Sequence, residues 1–140
     1  MAITAEIPQG ETREEIQIRE KIIKDFYAIW NAENPEKHIY NADLHGFIHV
    51  RFLSIQETAE HAAATYKSTL AVTYLTEILE KAKVVKRVQP KTNNQNQKRF
   101  SEIIIMQYVK ASFGKIKLTV GVLRGSKQHI QYCITAIENG

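Results

Sequence analysis

Hydrophobic and polar positions alternate most regularly in two runs near the C-terminal end of the chain, residues 115 to 124 and 128 to 137. The apolar positions are Ile116, Leu118, Val120 and Val122 in the first run and Ile130, Tyr132, Ile134 and Ala136 in the second. A period of two is typical of a strand with one buried face. Two such runs on either side of Gly125 predict a β-hairpin.

The register of this hairpin follows from matching its two faces. A three-residue loop over residues 125 to 127 aligns apolar with apolar positions, whereas a two-residue loop would mix the faces. The predicted pairs are Val120 with Tyr132 and Leu118 with Ile134 on the apolar face, and Lys117 with Thr135, Thr119 with Cys133 and Gly121 with Gln131 on the other. The second set is either a solvated sheet face or the floor of a site.

Two further runs predict strands before this hairpin. Residues 83 to 90 end at a proline, and residues 100 to 110 are strongly apolar, with three consecutive isoleucines at 103 to 105 that indicate burial on both faces. The polar residues 91 to 97 form the loop between them. Four successive strands with short connections predict an antiparallel meander. Alternation over residues 46 to 53 indicates one more short strand.

Helical spacing dominates the first half of the chain. Apolar positions recur every three or four residues over 12 to 32, after a Thr12 to Glu15 capping box, and the helix is expected to end at Asn34 and Pro35. A second capping box, Ser54 to Glu57, predicts a helix over 55 to 67, and a third amphipathic stretch covers 70 to 81.

These elements predict an α+β fold, with N-terminal helices packed on a four-stranded antiparallel meander sheet. A length of 140 residues suits one compact unit. Within it, residues 1 to 34 form an arm and a long helix, and residues 35 to 140 form the α+β domain.

Composition and charge indicate the expected location of the protein and its expected partners. The chain contains no apolar run near the roughly 20 residues of a membrane span, no signal peptide at its start, and one cysteine, so we expect a cytoplasmic protein that does not bind membranes. The net charge is +4, and residues 81 to 99 carry no acidic residue. This basic stretch suits a polyanionic partner such as RNA.

The residues give little support for metal or thiol chemistry. His45 and His49 have the spacing of a zinc pair, but no further ligand motif accompanies them, and no nucleophilic serine motif is present. We therefore predict no metal and no cofactor. Glu57 and His61 are four residues apart, so they are either a carboxylate that orients an imidazole or a surface pair.

Metal-independent RNA cleavage requires only a base for the 2′-hydroxyl, an acid for the leaving oxygen and donors for the phosphate. The helical segments Ser54-Ile-Gln-Glu-Thr-Ala-Glu-His61 and Thr65-Tyr-Lys-Ser-Thr-Leu-Ala-Val72 precede a meander that contains Lys115-Ile-Lys-Leu-Thr-Val-Gly121 and Gln131-Tyr-Cys-Ile-Thr135. Over residues 39 to 138 this arrangement resembles the phage-associated branch of the barnase/EndoU/colicin/RelE-like (BECR) nucleases.

The resemblance implies a metal-independent ribonuclease of toxin or phage-conflict type, with its active site on the antiparallel sheet. Carried over by position, it implies a helix-borne polar residue at His61, a cation at Lys117 and a last-strand hydroxyl at Thr135, with Lys67 and Thr119 as secondary candidates.

The expected function is an endoribonuclease that cleaves RNA by attack of the 2′-hydroxyl. Its expected substrate-binding residues are Lys86, Arg87, Lys98, Arg99 and Tyr132. An immunity or antitoxin protein is a second expected partner. The alternative is a non-catalytic module that binds nucleic acid or protein through the same sheet, or an immunity-type partner that binds through its long N-terminal helix.

Overall fold

The computed structural model describes residues 6–138 and has an α+β fold. The helices are α1 (Arg13–Glu33), α2 (Phe52–Ala62), α3 (Tyr66–Val72) and α4 (Leu75–Lys81). The strands are β1 (His38–Asn41), β2 (Gly46–His49), β3 (Lys83–Val88), β4 (Phe100–Lys110), β5 (Gly114–Leu123) and β6 (His129–Ala136). No helix within residues 6–138 combines the length and the apolar character needed to cross a membrane.

The six strands form one mixed sheet in the order β1-β2-β6-β5-β4-β3. The last four strands are a meander, as predicted, but the prediction of a four-stranded antiparallel sheet is wrong. The difference is the β1–β2 hairpin, whose second strand pairs parallel with β6 at Ile48 and His129. The strand predicted over residues 46 to 53 is present as β2 but ends at His49, whereas β1 has four residues, too few to give a clear period of two. A turn with His45 at a φ of 55° joins the two strands.

The first helix has the predicted cap. The Thr12 hydroxyl accepts a hydrogen bond from the Glu15 backbone N–H at 3.1 Å, and the Glu15 carboxylate accepts one from the Thr12 N–H at 3.4 Å. This pair satisfies two N–H groups that the first turn leaves without helical partners.

The next helices differ from the sequence prediction. Helix α2 begins at Phe52, and Ser54 lies inside its first turn, where its hydroxyl accepts from the Arg51 N–H at 3.0 Å and donates to the Gln131 carbonyl. The predicted helix over 70 to 81 is two helices. Thr65 caps the earlier one, α3, by accepting from the Ser68 N–H at 3.1 Å.

The main core lies between the helices and one face of the sheet. Helix α1 contributes Ile23, Phe26, Tyr27 and Trp30, and the sheet contributes residues that include Ile104, Met106, Leu118 and Ile134. The opposite face carries a smaller apolar cluster of Leu53, Phe100, Ile103, Ile130 and Tyr132. Strand β4 is therefore buried on both faces, as its three isoleucines predicted.

A β-bulge in β6 divides the C-terminal hairpin into two registers. Lys117 pairs with Thr135 and Thr119 with Cys133, as predicted, but Val120 pairs with Gln131. The predicted Val120–Tyr132 and Gly121–Gln131 pairs are wrong because Tyr132 is the extra residue of the bulge, and Gly121 pairs with Ile130 instead. The side chains of Tyr132 and Cys133 therefore both face away from the main core.

Candidate functional site

A cleft of about 360 Å³ lies on the sheet face opposite the main core. Strands β5 and β6 form its floor, α2 borders it on one side, and the edge strand β3 with the loop after it lies on the other. Its lining residues are His61, Val88, Gln89, Lys91, Gln97, Ile103, Ile105, Lys117, Thr119, Tyr132, Cys133 and Thr135.

Strand register places the polar groups of the floor together. Lys117 lies directly opposite Thr135 and Thr119 opposite Cys133, and paired residues project from the same face of a sheet. Lys117 is exposed and forms no ion pair with any residue in the described part of the chain. The floor thus presents one ammonium group beside two hydroxyl groups.

Helix α2 contributes an imidazole and a carboxylate. His61 Nε2 lies 3.5 Å from Glu57 Oε1, with the His61 side chain 54% exposed and that of Glu57 only 6% exposed. The carboxylate favours a proton on Nε2, which leaves Nδ1 able to accept a proton from a substrate. The other oxygen of Glu57 accepts a hydrogen bond from Asn96 Nδ2 at 2.6 Å, which attaches the β3–β4 loop to α2.

Two side chains that line the cleft, those of Tyr132 and Cys133, have shifted pKa values. Burial, together with the neighbouring Glu57 carboxylate, raises the pKa of the Tyr132 hydroxyl to about 12. Burial and the same carboxylate raise the pKa of the Cys133 thiol to about 12. Tyr132 is therefore a protonated hydrogen-bond donor at neutral pH, and Cys133 is not a thiolate nucleophile.

The cleft brings together five of the ten residues that the sequence indicated, namely His61, Lys117, Thr119, Tyr132 and Thr135. Lys67 is not among them. Its Nζ lies 5.5 Å from the centre of the Phe113 ring, and its side chain borders a separate pocket with Gln9 and Glu138.

The four expected substrate-binding cations are dispersed. Lys86 pairs with Ile105, so it lies on the cleft side of β3, whereas Arg87 pairs with Ile104 and forms an ion pair with Glu102 at 2.7 Å. Lys98 and Arg99 are exposed in a short 3₁₀ turn before β4, and Arg99 lines a second pocket beside the cleft.

Sequence reasoning missed the contribution of the β3–β4 loop. Lys91 and Gln97 line the cleft, and Asn96 anchors the loop to Glu57. The sequence of this loop is a run of amide side chains without apolar residues. Such a run predicts a loop but does not indicate which element the loop contacts.

The side chains with metal-ligand spacing in the structure are not His45 and His49. Within residues 6–138, the one group with metal-ligand spacing is Glu57, Glu60 and His61, whose ligand atoms lie within 4.8 Å of one another. Asn96 already occupies one Glu57 oxygen, and the other two side chains are exposed.

Comparisons of this chain with protein-family models, with curated proteins and with solved structures gave no significant match.

Proposed function

We propose that the protein is a metal-independent endoribonuclease that cleaves RNA by 2′-hydroxyl transesterification, as the resemblance to BECR nucleases implies. The observation that carries the proposal is the convergence of His61 from α2, Lys117 from β5 and Thr135 from β6 in one cleft. An imidazole, an ammonium and hydroxyl donors are the set that this reaction requires.

The cleft suggests a role for each group. His61 Nδ1 accepts the 2′-hydroxyl proton, and the Glu57 carboxylate 3.5 Å from Nε2 stabilises the resulting imidazolium. The Lys117 ammonium and the Thr135 hydroxyl neutralise and bind the oxygens of the crowded phosphorane. Tyr132 donates a proton or hydrogen bond to the leaving 5′-oxygen, since its hydroxyl lines the cleft and is protonated at neutral pH.

The test is cleavage of single-stranded RNA by the purified protein in the presence of a metal chelator. We expect Lys117→Ala to slow cleavage at least about tenfold, which corresponds to roughly 1.4 kcal/mol in the barrier. Lys115→Ala is the matched control, because Lys115 is an exposed lysine two residues earlier on the same strand and outside the cleft. Equal rates for the two variants would remove Lys117 from the mechanism.

A binding module without catalysis is the second candidate, and one observation favours it. The phenyl ring of Phe52 is 73% exposed beside Arg51 and Arg99, an arrangement that serves recognition and requires no chemistry. Binding of RNA that weakens steeply with salt, without cleavage, would support this function over the enzyme.

A further inference from the structure

A second pocket, of about 370 Å³, adjoins the cleft at the N-terminal end of α2. Its apolar wall contains Leu53, Phe100 and Ile130, which belong to the smaller apolar cluster. The rest of the lining is Phe52, two arginines, Arg51 and Arg99, and the side chains of Gln56 and Leu123. The pocket therefore combines a flat apolar surface with two positive charges, and none of its lining residues is acidic.

Phe52 is the most exposed large apolar residue in the described part of the chain, with 73% of its surface accessible. It begins α2 and belongs to neither apolar cluster, so packing does not explain a phenyl ring at this position. An exposed aromatic ring at the mouth of a pocket offers a face on which a planar group can stack.

The two arginines differ in how they are held. Arg51 Nη2 donates to Gln128 Oε1 at 2.6 Å, which fixes that guanidinium at the pocket rim. Arg99 is positioned through its backbone, since its carbonyl accepts from the Arg124 N–H at 3.0 Å, and its side chain forms no ion pair with a described residue. A guanidinium free of carboxylates is suited to a phosphate.

The pocket and the cleft adjoin each other across one pair of packed rings. The Phe100 ring of the pocket meets the Tyr132 ring of the cleft edge to face, with centroids 5.8 Å apart. Helix α2 also connects them, because Phe52 and His61 lie nine residues apart, about 13 Å along the helix axis. A nucleic-acid strand with a phosphate at Lys117 can therefore place a nucleotide further along the same strand in the pocket.

We propose that this pocket binds a nucleotide of single-stranded RNA to one side of the cleaved phosphodiester, with the base stacked on Phe52 and its phosphate held by Arg99 and Arg51. The proposal rests on the proposed function for its choice of RNA, and it assigns a base-binding subsite to the second pocket. Stacking is tolerant of sequence, so the subsite adds affinity for unpaired RNA over duplex RNA.

The experiment measures binding of a fluorescent single-stranded oligodeoxynucleotide, which the enzyme cannot cleave because it lacks the 2′-hydroxyl. We expect Phe52→Leu, which keeps an apolar side chain but removes the ring, to weaken binding at least about fivefold. Tyr40→Leu is the control, because Tyr40 is an exposed aromatic residue on the edge strand β1 and lines neither pocket.

The same assay at several salt concentrations tests whether Arg99 contacts a phosphate. Arg99→Gln should reduce the slope of log affinity against log salt by about 0.7, the value expected for one phosphate contact on a single strand. Arg13→Gln should leave the slope unchanged. Arg13 is a suitable control because it lies in α1, which contacts α2 through Arg19 at the end of α2 opposite Phe52.

The outcomes separate this proposal from the proposed function. Loss of binding in Phe52→Leu and a reduced slope in Arg99→Gln support the subsite even if the wild-type protein does not cleave RNA, in which case only the ribonuclease proposal fails. Wild-type affinity in both variants overturns the subsite, whether or not RNA is cleaved. Absence of binding by the wild-type protein, or equal affinity for the single-stranded oligodeoxynucleotide and for its duplex, also overturns it.

Discussion

Glu57 is the residue on which the geometry of the cleft depends most. Its carboxylate is buried, accepts from Asn96 of the β3–β4 loop, and faces His61 one helical turn away. It also raises the pKa of Tyr132 on β6. A buried carboxylate with partners from a helix, a loop and a strand fixes the relative positions of all three, because an unmet hydrogen bond to a buried charge is costly.

The titration of Tyr132 predicts how stability changes at alkaline pH. Its pKa rises from 10.0 in the unfolded chain to about 12 in the folded protein. Below pH 10 both states are protonated, whereas between pH 10 and pH 12 only the unfolded state loses the proton, so folding stability falls as pH rises through this interval. Urea unfolding at pH 9, 10 and 11 should show a smaller decrease for Tyr132→Phe than for the wild type.

Tyr40→Phe is the matched control for this measurement, because Tyr40 is about half exposed on β1. It should reproduce the wild-type decrease. The same pH dependence for wild type and Tyr132→Phe would contradict the assignment.

For individual residues of the cleft, the sequence predicted Lys117, Thr119 and Thr135 as neighbours on one face of the sheet, since strand alternation determines which residues share a side. It did not predict the bulge. Gln131 turns toward the helices, where its amide accepts from the Tyr27 hydroxyl and donates to Thr58 Oγ1, both at 2.8 Å. Those partners lie more than 70 positions away in the chain, so local pattern alone contains no sign of them.

Among the elements, α2 connects the core to the cleft. Thr58, Ala59 and Ala62 of this helix are buried, while His61 borders the cleft beside the buried Glu57. At its C-terminal end, the buried Arg19 of α1 donates from Nε to the Ala63 carbonyl at 2.8 Å. A cation at this position satisfies a carbonyl without a helical partner and opposes the negative end of the helix dipole.

Substitution of Arg19 should therefore destabilise the protein strongly. Its Nη1 also donates to the carbonyls of Pro8 and Gly10, at 2.8 and 2.7 Å. Arg19→Met retains a long apolar stem but removes these bonds, and we expect a loss of about 3 kcal/mol in the free energy of unfolding, measured with urea. Arg13→Met, at an exposed position of the same helix, should change it by less than about 0.5 kcal/mol. Similar values for both variants would contradict this role.

Strength of periodicity separates the elements that the sequence predicted from those it did not. Helix α1 and strands β4, β5 and β6 are long enough for many repeats of their pattern, and their bounds agree with prediction within about two residues. Alternation over residues 46 to 53 indicated β2 but not its end at His49, and the four-residue strand β1 offers two repeats at most. The prediction from Ser54 was wrong because Ser54 is not the N-cap of α2. It is the third residue of the helix, and its hydroxyl accepts from the N–H of the N-cap residue Arg51.

For the molecule as a whole, the main core includes α1. The one tryptophan of the chain, Trp30, is 2% exposed in that core, and its Nε1 donates to Thr76 Oγ1 of α4 at 3.0 Å. Helix α1 therefore shares its apolar contacts with the sheet and with later helices, and residues 13 to 33 do not form a separate unit.

This arrangement predicts cooperative unfolding. Trp30 fluorescence reports on α1, while circular dichroism reports on all helices and strands, so the two urea transitions should have the same midpoint. A fluorescence transition at lower urea would show that α1 separates before the sheet unfolds. The Arg19→Met variant should shift both midpoints together.

The bulge at Tyr132 has a genetic consequence. Without this residue, β6 would alternate without interruption, with Ile130 and Cys133 on the cleft side and Gln131 and Ile134 on the core side. Every other pairing with β5 would persist. In the gene, then, the Tyr132 codon is equivalent to an in-frame insertion of three nucleotides into an otherwise regular strand. Deletion of that one codon would remove the phenol from the cleft and leave the reading frame and all remaining strand partners intact.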